Sequence, residues 1–377
     1  MGSQRYILYK CLQNLLPIYP VYTLLFEDAG LDIHQISMLL AIWSIPVVLL
    51  EIPSGVLADR WNRRNLLVVA ALLKASCFLA WMVHTFTMFA VGFVCWGIAE
   101  ALSSGAEEAL VFDSLKMKGK QDMFARVYGS ASAAAGGAVA LSCFGGGFLA
   151  QMLGFDLVLI LSITATLGTA LIVFGSDEVN LYRKKPSLAR RGTTVPAIRF
   201  IIHRREMLYV ALLYVVPLSM AGILDEYDPL IAFSFGLPLS LVGIWVGIRY
   251  LLESVGAFLS KYFNGSAFRT PCILGLVAGG VLCAHVLIRH RLSLVFYFMF
   301  YLILSIAHVL QENLMQQKIE EQGRSTVHSV VNLATDFHAI LLFSILGIFS
   351  NPSHLVLFIS LYTLVASLLI SPIFKRK

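Results

Sequence analysis

Long apolar stretches recur along almost the entire chain, and residues 36–50 and 66–83 are two clear examples. A helix needs about 20 such residues to cross the hydrocarbon core of a bilayer. Of the 377 residues, 58% are hydrophobic and only 13% are charged, and the mean hydropathy is +0.79. A water-facing fold of this size could not cover so much apolar side chain with polar surface. The chain therefore has room for about a dozen membrane spans and short loops, which excludes a sizeable domain outside the membrane.

The apolar stretches predict an all-α membrane protein with twelve transmembrane helices. They are continuous rather than alternating in polarity, and they are too long for barrel strands, so strands are excluded as the main element. The predicted helices 1 to 12 cover residues 5–27, 35–59, 65–83, 87–114, 124–150, 155–176, 206–233, 239–262, 270–288, 292–318, 325–350 and 353–373.

The basic residues are distributed unevenly between the two sides that these helices define. With the N-terminus inside, 24 of the 28 lysines and arginines, Lys10 among them, fall at cytoplasmic sites, and only Arg289 and Arg291 fall outside. Cytoplasmic loops carry such an excess of Lys and Arg, so we expect both termini to be cytoplasmic. The same distribution explains the net charge of +6 without a nucleic-acid partner.

One segment, residues 179–205, is predicted to be a linker. It combines eight basic residues with Pro186, Pro196 and little apolar content. It divides the chain into an N-terminal six-helix bundle over residues 1–178, the basic cytoplasmic linker itself, and a C-terminal six-helix bundle over residues 206–377.

A charged motif at residues 55–64, Gly-Val-Leu-Ala-Asp-Arg-Trp-Asn-Arg-Arg, separates the second and third apolar stretches. It resembles the signature between helices 2 and 3 of the major facilitator superfamily, Gly-x-Leu-Ala-Asp-Arg-x-Gly-Arg-Arg. Asn62 occupies the place of a glycine, and Asn is the other residue that best tolerates a left-handed backbone, so the turn stays plausible. The alternative is an ordinary positively charged cytoplasmic loop. A weaker copy at residues 256–261 ends helix 8 but lacks the Asp.

The resemblance implies two related six-helix bundles, a multi-pass protein of the bacterial cytoplasmic (inner) membrane, and secondary active transport by alternating access. In this family, helices 1, 4, 7 and 10 line the central cavity. The Asp and Arg residues of the loop make charge contacts with neighbouring helix ends. By resemblance, we expect a conformational latch formed by Gly55, Asp59, Arg60, Arg63 and Arg64.

Helix 4 carries an acidic stripe that the resemblance would turn toward substrate. A charged side chain within a span costs roughly 2.5–3.5 kcal/mol on insertion scales, so it usually faces a cavity or a partner. Helical spacing places most of the stripe on one face, and its residues are Glu100, Ser104, Glu107 and Glu108. Alternatively, Glu108 and Asp113 pair with basic residues at the cytoplasmic end of the helix.

Helix 1 contributes amide and hydroxyl groups suited to a polar organic ligand. These are Gln13, Asn14 and Tyr22, and Pro17 and Pro20 are expected to bend the helix between them.

Helix 7 contains three acids just before Pro229, which predict a broken helix with Asp225 and Glu226 facing a wet cavity. If this stretch is only an outer loop end, the acids are merely solvated. In helix 8, Arg249 and Glu253 have the i,i+4 spacing of an ion pair, which we interpret as structural.

Helices 10 and 11 provide the sequence's best argument for proton coupling. His308 and Glu312 lie on helix 10 and Asp336 lies on helix 11. Histidine titrates near neutral pH, so a cavity that contains it beside carboxyl groups can take up and release protons. The alternative is that His308 is an ordinary buried hydrogen-bonding residue. Tyr297 and Tyr301 either line the same cavity or belong to an interfacial aromatic belt.

Other chemistries find no support in the sequence. The six cysteines show neither metal spacing nor a pairing pattern, and there is no Walker loop, His-Glu-x-x-His or Gly-x-Ser-x-Gly motif. We therefore expect no enzymatic activity, cofactor or metal site.

The sequence as a whole predicts a monomeric secondary transporter in the lipid bilayer that moves a small organic solute with protons. The first hypothesis is that the transporter exports drug-like cationic compounds by proton antiport, because an acid-rich cavity attracts cations. Two alternatives stay open: proton-coupled uptake of a polar nutrient or metal-chelating compound, and a transporter-like receptor.

Overall fold

The computed structural model describes residues 1–120, 123–176, 194–263, 268–288, 290, 293–318 and 324–370, and every structural statement below refers to them. The first helices are α1 Ser3–Asn14, α2 Tyr22–Asp28, α3 Ile33–Arg60, α4 Arg63–Trp81, α5 Phe86–Met117, α6 Phe124–Leu153 and α7 Phe155–Phe174. They are followed by α8 Thr194–His203, α9 Arg205–Leu213, α10 Met220–Asp225, α11 Asp228–Ser234, α12 Leu239–Leu259, α13 Arg269–Leu287, α14 Leu294–Lys318, α15 Arg324–Leu346 and α16 Pro352–Ile370.

Ten helical stretches of this part of the chain are long and apolar enough to cross a membrane. A shorter apolar stretch, Val330–Leu346, forms most of α15. The first predicted span is not among the ten, because it is divided into α1 and α2. The predicted all-α membrane fold is confirmed.

Helix 1 is interrupted between Asn14 and Tyr22, where Pro17 removes a backbone donor and disfavours helix in the residue before it. The backbone groups at this break find partners on α6 and α7. The Ile18 N–H donates to the Ser162 hydroxyl oxygen at 3.2 Å, and the Ser142 hydroxyl donates to the Asn14 carbonyl at 3.4 Å. Side chains of two other helices thus replace missing helical hydrogen bonds.

Helix 7 is also broken, and in two places. A π-helical turn at Tyr214–Leu218 contains Pro217, and α11 begins with Pro229 in its first turn. The acids before Pro229 predicted the second break. The π turn was not predicted, because the proline rule shows that a helix is disturbed but not which backbone geometry results.

The linker predicted over residues 179–205 lies largely outside the described residues. In its last part, residues 194–203 form α8. The apolar side chains of Phe200 and Ile201 lie on this short helix, and Ile201 is buried.

The described residues divide into two compact units. One contains residues from Met1–Pro186 and Gly236–Gly247, and the other contains residues from Ser187–Phe235 and Ile248–Lys377. In the first unit, α5 packs against α3 and α4, and α1 packs against α6 and α7. In the second unit, α13 packs against α14 and α16. The beginning of α12 thus packs with the first unit, although the predicted boundaries place it in the C-terminal bundle.

An aromatic cluster forms part of the core of the first unit around Trp81 of α4. The centroid of the Trp81 ring lies 5.0 Å from that of Phe26, 5.1 Å from that of Phe93 and 5.8 Å from that of Tyr22. The indole N–H donates to the Phe89 carbonyl at 3.2 Å, so this buried ring leaves no polar atom unpaired.

Glycines of α6 allow two close backbone contacts in the first unit. A Cβ atom at Gly146 would overlap the carbonyl oxygen of Pro17, and one at Gly147 would lie 2.5 Å from the carbonyl oxygen of Leu239. At Gly145, by contrast, a Cβ would meet no heavy atom within 4 Å. Small residues at helix interfaces permit this approach, as in other membrane bundles.

The substitution Gly146→Ala should lower the stability of the protein by about 1–3 kcal/mol, because the helix 1 backbone must move to admit the methyl group. Gly145→Ala is the matched control and should be neutral or stabilising by up to about 1 kcal/mol, because alanine favours helix and the site is open. Thermal unfolding of both variants in the same detergent measures the difference. Equal melting temperatures would show that the contact at Pro17 does not constrain α6.

Candidate functional site

A polar cavity of about 280 Å³ lies inside the first unit among α1, α4, α5 and α7. Its polar lining includes side chains from all four helices, namely Tyr9, Lys10, Gln13, Asn14, Lys74, Trp96, Glu100, Ser103, Ser104, Glu107, Thr166 and Thr169. The members from α5 share one face because they recur at helical spacing. Two of the three helix 1 residues expected to bind ligand, Gln13 and Asn14, are here, and so are Glu100, Ser104 and Glu107 of the helix 4 stripe.

Glu107 is the most highly coordinated residue of this cavity. Lys10 Nζ lies 2.8 Å from Glu107 Oε1, and the Tyr6 hydroxyl donates to the same oxygen at 3.1 Å. The Tyr9 hydroxyl donates to Oε2 at 3.2 Å and itself accepts from Gln13 Nε2 at 3.0 Å. Both oxygens of the Glu107 side chain thus have hydrogen-bond partners on α1.

The partners of Glu107 were not predicted from the sequence. Lys10 was counted among the cytoplasmic basic residues, but its amine reaches the cavity. Tyr6, Tyr9 and Gln13 recur at i, i+3 and i+7 on α1, so they share a face. This row of polar residues on one face of α1 was the sequence signal from which a polar contact with another helix could have been predicted.

Lys74 and Glu100 occupy the same cavity, together with the ring of Trp96. Lys74 Nζ lies 4.7 Å from the Trp96 ring centroid, which is the geometry of a cation–π contact. Glu100 is exposed toward the cavity space rather than packed away. The lining therefore contains two lysines and two glutamates, so its formal charges balance.

Tyr22, predicted as a ligand contact of helix 1, does not line this cavity. Its ring belongs to the aromatic cluster around Trp81, and only 4% of the residue is exposed. The break at Pro17 separates α2 from α1, and α2 lies among aromatic side chains. The side chain of Glu108 lies outside the described residues.

The loop motif is organised around Arg63, which is almost completely buried. Arg63 Nη1 lies 2.6 Å from Asp113 Oδ2 on α5, and Arg63 Nε donates to the Ala58 carbonyl at 3.3 Å. Arg64 Nη1 donates to the Ser176 carbonyl at 3.3 Å. These contacts join α3, α4 and α5 at one end of the unit. The side chains of Asp59 and Arg60 and the surroundings of Gly55 fall outside the described residues.

Asn62 does not adopt the left-handed conformation that its place in the motif suggested. Its φ is −78°, and it acts as the N-cap of α4, with its side-chain oxygen accepting from the Asn65 N–H at 2.9 Å. Asn is among the best N-cap residues because it satisfies a backbone donor that the first helical turn leaves unpaired. Asn62, in the place where the motif has glycine, therefore caps the start of α4.

In the second unit, Arg249 of α12 contacts three carboxyl groups. Its guanidinium forms an ion pair with Asp225, and it also lies 2.7 Å from Asp228 Oδ2 and 2.8 Å from Glu253 Oε1. The i,i+4 pair expected at Arg249 and Glu253 is thus one part of a larger cluster. Tyr297 and Tyr301 of α14 both donate hydrogen bonds to Asp228 Oδ1, the latter at 3.0 Å.

A second cavity, of about 330 Å³, borders this cluster within the same unit. It is lined by Tyr214, Leu218, Ser219, Ala221, Gly222, Glu253, Tyr301, Leu304, Ser305, His308 and Thr335. Of the predicted proton-binding residues, His308 is here, with its ring centroid 5.0 Å from that of Tyr214. Glu226, Glu312 and Asp336 are not among the lining residues.

Removing the partner of Arg63 should destabilise the protein strongly. Asp113→Asn removes a buried counter-charge of the Arg63 guanidinium, and the loss of one partner of a buried ion pair costs about 3–5 kcal/mol. Asp156→Asn is the control, because its ion pair with His84 is exposed to solvent and contributes little. Thermal unfolding in detergent compares the two variants, and an Asp113 variant as stable as the Asp156 variant would contradict the assignment.

Comparison with known proteins places this architecture in a family. The sequence matches the model described as Major Facilitator Superfamily over residues 11–343. None of the curated proteins matches the sequence.

Similar solved structures cover nearly the whole chain at low identity. A crystal structure of a mutant of the nucleoside transporter NupG has a TM-score of 0.79 and 14% identity, with 99% of each chain covered. A bacterial homologue of the iron transporter ferroportin, in the inward-facing state, has a TM-score of 0.70 and 16% identity, covering 99% of this chain and 98% of that one. A mutant of the peptide transporter POT in complex with alafosfalin has a TM-score of 0.66 and 14% identity, covering 99% and 93%.

These structural likenesses show the shared fold alone, whereas the family model matches most of the sequence. Members of this family are membrane transporters and not enzymes. The chain belongs to the major facilitator superfamily of secondary transporters.

Proposed function

We propose that the protein carries a small polar organic solute across the membrane by alternating access, coupled to protons, and that the cavity of the first unit binds part of this solute. The supporting observation is the concentration of two lysines, two glutamates and two amides around one space of about 280 Å³. Charged side chains are rare within membrane spans, and those that occur usually mark substrate or ion pathways.

The charge balance of the cavity favours a solute that is neutral or carries charges of both signs. A cavity with excess carboxylates would attract cations, but Glu107 is paired with Lys10, and Lys74 shares the space with Glu100. Gln13 Oε1 is a buried acceptor without a hydrogen-bond donor among the described residues, so it suits a donor on the solute. Trp96 adds an aromatic surface for an apolar part.

The solutes named for two similar structures are compatible with this class. NupG is a nucleoside transporter and POT a peptide transporter, and both kinds of solute are polar organic molecules. Iron, the cargo named for the ferroportin homologue, has less support. The described residues contain no group of three or more His, Cys, Asp or Glu side chains that could hold a metal ion.

Glu107 is the group through which protons act on this cavity. A proton on Glu107 removes the charge that binds Lys10, so the amine becomes available to the solute. Loss of the proton restores the ion pair and displaces the solute from Lys10. This exchange links proton binding and solute binding without a cofactor.

Export of cationic drug-like compounds by proton antiport is the second candidate. It is favoured by Glu100, which is exposed toward the cavity and forms no ion pair with a described residue. A receptor that binds the solute without moving it is the third. Proton movement on solute addition separates both transporter hypotheses from the receptor.

We also propose that the protein functions as a monomer in the bacterial cytoplasmic (inner) membrane with both termini inside. The distribution of lysine and arginine along the sequence supports this orientation.

Reconstitution into liposomes that contain a pH-sensitive dye tests the proposed function. A panel of neutral, zwitterionic, cationic and anionic organic solutes is added outside. Neutral or zwitterionic solutes should evoke proton movement, and its direction separates symport from antiport. A response to cations alone would favour the second candidate, and binding without proton movement would favour the receptor.

Charge variants of the cavity should change the solute preference in opposite directions. Lys10→Met leaves an excess of negative charge and should favour cations, whereas Glu107→Gln leaves an excess of positive charge and should favour anions. The double variant restores balance and should recover the wild-type preference. Lys118→Met, on an exposed residue at the end of α5, is the control. If all four variants had the same solute preference, the cavity would not be part of the solute-binding site.

A further inference from the structure

The charges of Arg249 and its three carboxyl partners do not cancel. One guanidinium, only 2% exposed, faces the carboxyl groups of Asp225, Asp228 and Glu253. With all three ionised, the cluster has two negative charges in excess. Uncompensated charge in a poorly hydrated interior is costly, and carboxyl groups usually avoid the cost by binding a proton.

The three carboxyl groups differ in their access to water. The side chain of Glu253 is 29% exposed and that of Asp225 is 18% exposed, whereas that of Asp228 is 0% exposed. Water can stabilise the charge on the first two. Asp228 depends entirely on its protein neighbours, so it is the group for which a proton relieves the largest cost.

The two oxygens of Asp228 have different environments. Oδ1 accepts hydrogen bonds from the hydroxyls of Tyr297 and Tyr301. Oδ2 lies 2.7 Å from Arg249 Nε but accepts no hydrogen bond of good geometry from any described residue. The positive charge of Arg249 disfavours a proton on Oδ2, whereas a proton on Oδ1 faces the two tyrosine oxygens. Arg249 retains two other carboxyl partners when Asp228 is neutral.

Tyr301 connects Asp228 with the second cavity. Its hydroxyl bonds to Asp228 Oδ1, and its side chain is part of the cavity lining. Tyr297 bonds to the same oxygen but does not line the cavity. The two tyrosines are thus a matched pair, of which only Tyr301 lines this cavity.

We propose that Asp228 is a reversible proton-binding group of the second unit, with Tyr301 as its relay to the cavity and Arg249 as the competing cation. The proposal rests on the proposed function, since it names the site of the coupling proton in this unit. In the release step, the O–H bond of neutral Asp228 breaks, and Tyr301 takes this proton while passing its own hydroxyl proton to cavity water. Arg249 then neutralises the carboxylate. Uptake is the reverse, and no electrons are transferred.

The ionisable groups around Asp228 come from four helices. Asp225 lies on α10, and Tyr297 and Tyr301 lie on α14. Arg249, Tyr250 and Glu253 lie on α12, with the guanidinium 3.9 Å from the ring centroid of Tyr250. His285 of α13 lies near Tyr297, with ring centroids 5.3 Å apart, and its Nδ1 lies 2.9 Å from the Ser293 carbonyl oxygen.

Infrared difference spectroscopy of the full protein in lipid membranes tests this site without a known solute. Stepping the pH should reveal a carbonyl band of a buried carboxylic acid that appears as the pH falls. The band should be lost in Asp228→Asn and retained in Asp225→Asn and Glu253→Gln. Tyr301→Phe and Tyr297→Phe should each shift the band, because each removes one hydrogen bond to Asp228. After a rapid pH step, only Tyr301→Phe should slow its appearance.

A band that persists unchanged in Asp228→Asn would overturn the proposal, and so would a titrating band that neither tyrosine variant shifts. Equal slowing in both tyrosine variants would overturn the relay. If Asp228→Asn does not fold, the tyrosine variants still locate the band. Asp228-dependent titration combined with no solute-evoked proton movement in liposomes would support the site and contradict the proposed function, so the two can fail separately.

Discussion

Pairing of buried charges between helices is the interaction on which the described structure most depends. Lys10 and Glu107 join α1 to α5, and Arg63 and Asp113 join α4 to α5. In the second unit, Arg249 joins α12 to α10 and α11. Lipid tails are as apolar as leucine, so apolar surface alone gives these helices little reason to prefer one neighbour over another. A charge that must find its partner does supply such a preference, because the unpaired alternative is expensive.

The close backbone contacts depend on the same helix register. Gly146 fits against the carbonyl oxygen of Pro17 only when α1 and α6 meet at one height, and Gly147 similarly fits Leu239 at the start of α12. Charge pairing thus selects the neighbouring helix, and glycine permits the approach. The two cavities occur where side chains of several helices converge on these charge pairs and leave space between them.

Much of the fold could be predicted from the sequence, because span length and continuous apolarity are local properties. The acidic face of α5 and the break before Pro229 are local as well, and both are present. The partners of each charged residue could not be predicted in this way. Spacing shows which residues share a face of one helix, but not which other helix covers that face. Lys10 was therefore counted only as a basic residue of the cytoplasmic side, and Arg249 was given Glu253 as its partner without Asp225 and Asp228. Asn62 was compared with glycine for its backbone freedom, although its side chain has a capping role.

The broken first helix has a consequence for the order in which this unit packs. As a nascent segment, α1 carries Arg5, Lys10 and three amides, and α1 and α2 together form no continuous apolar span. Its backbone break is satisfied by Ser142 and Ser162, and Lys10 by Glu107, all of which are synthesised much later. These contacts of α1 therefore cannot form until α5, α6 and α7 have been synthesised. The packing of this unit is completed at α1 only after its later helices are in place.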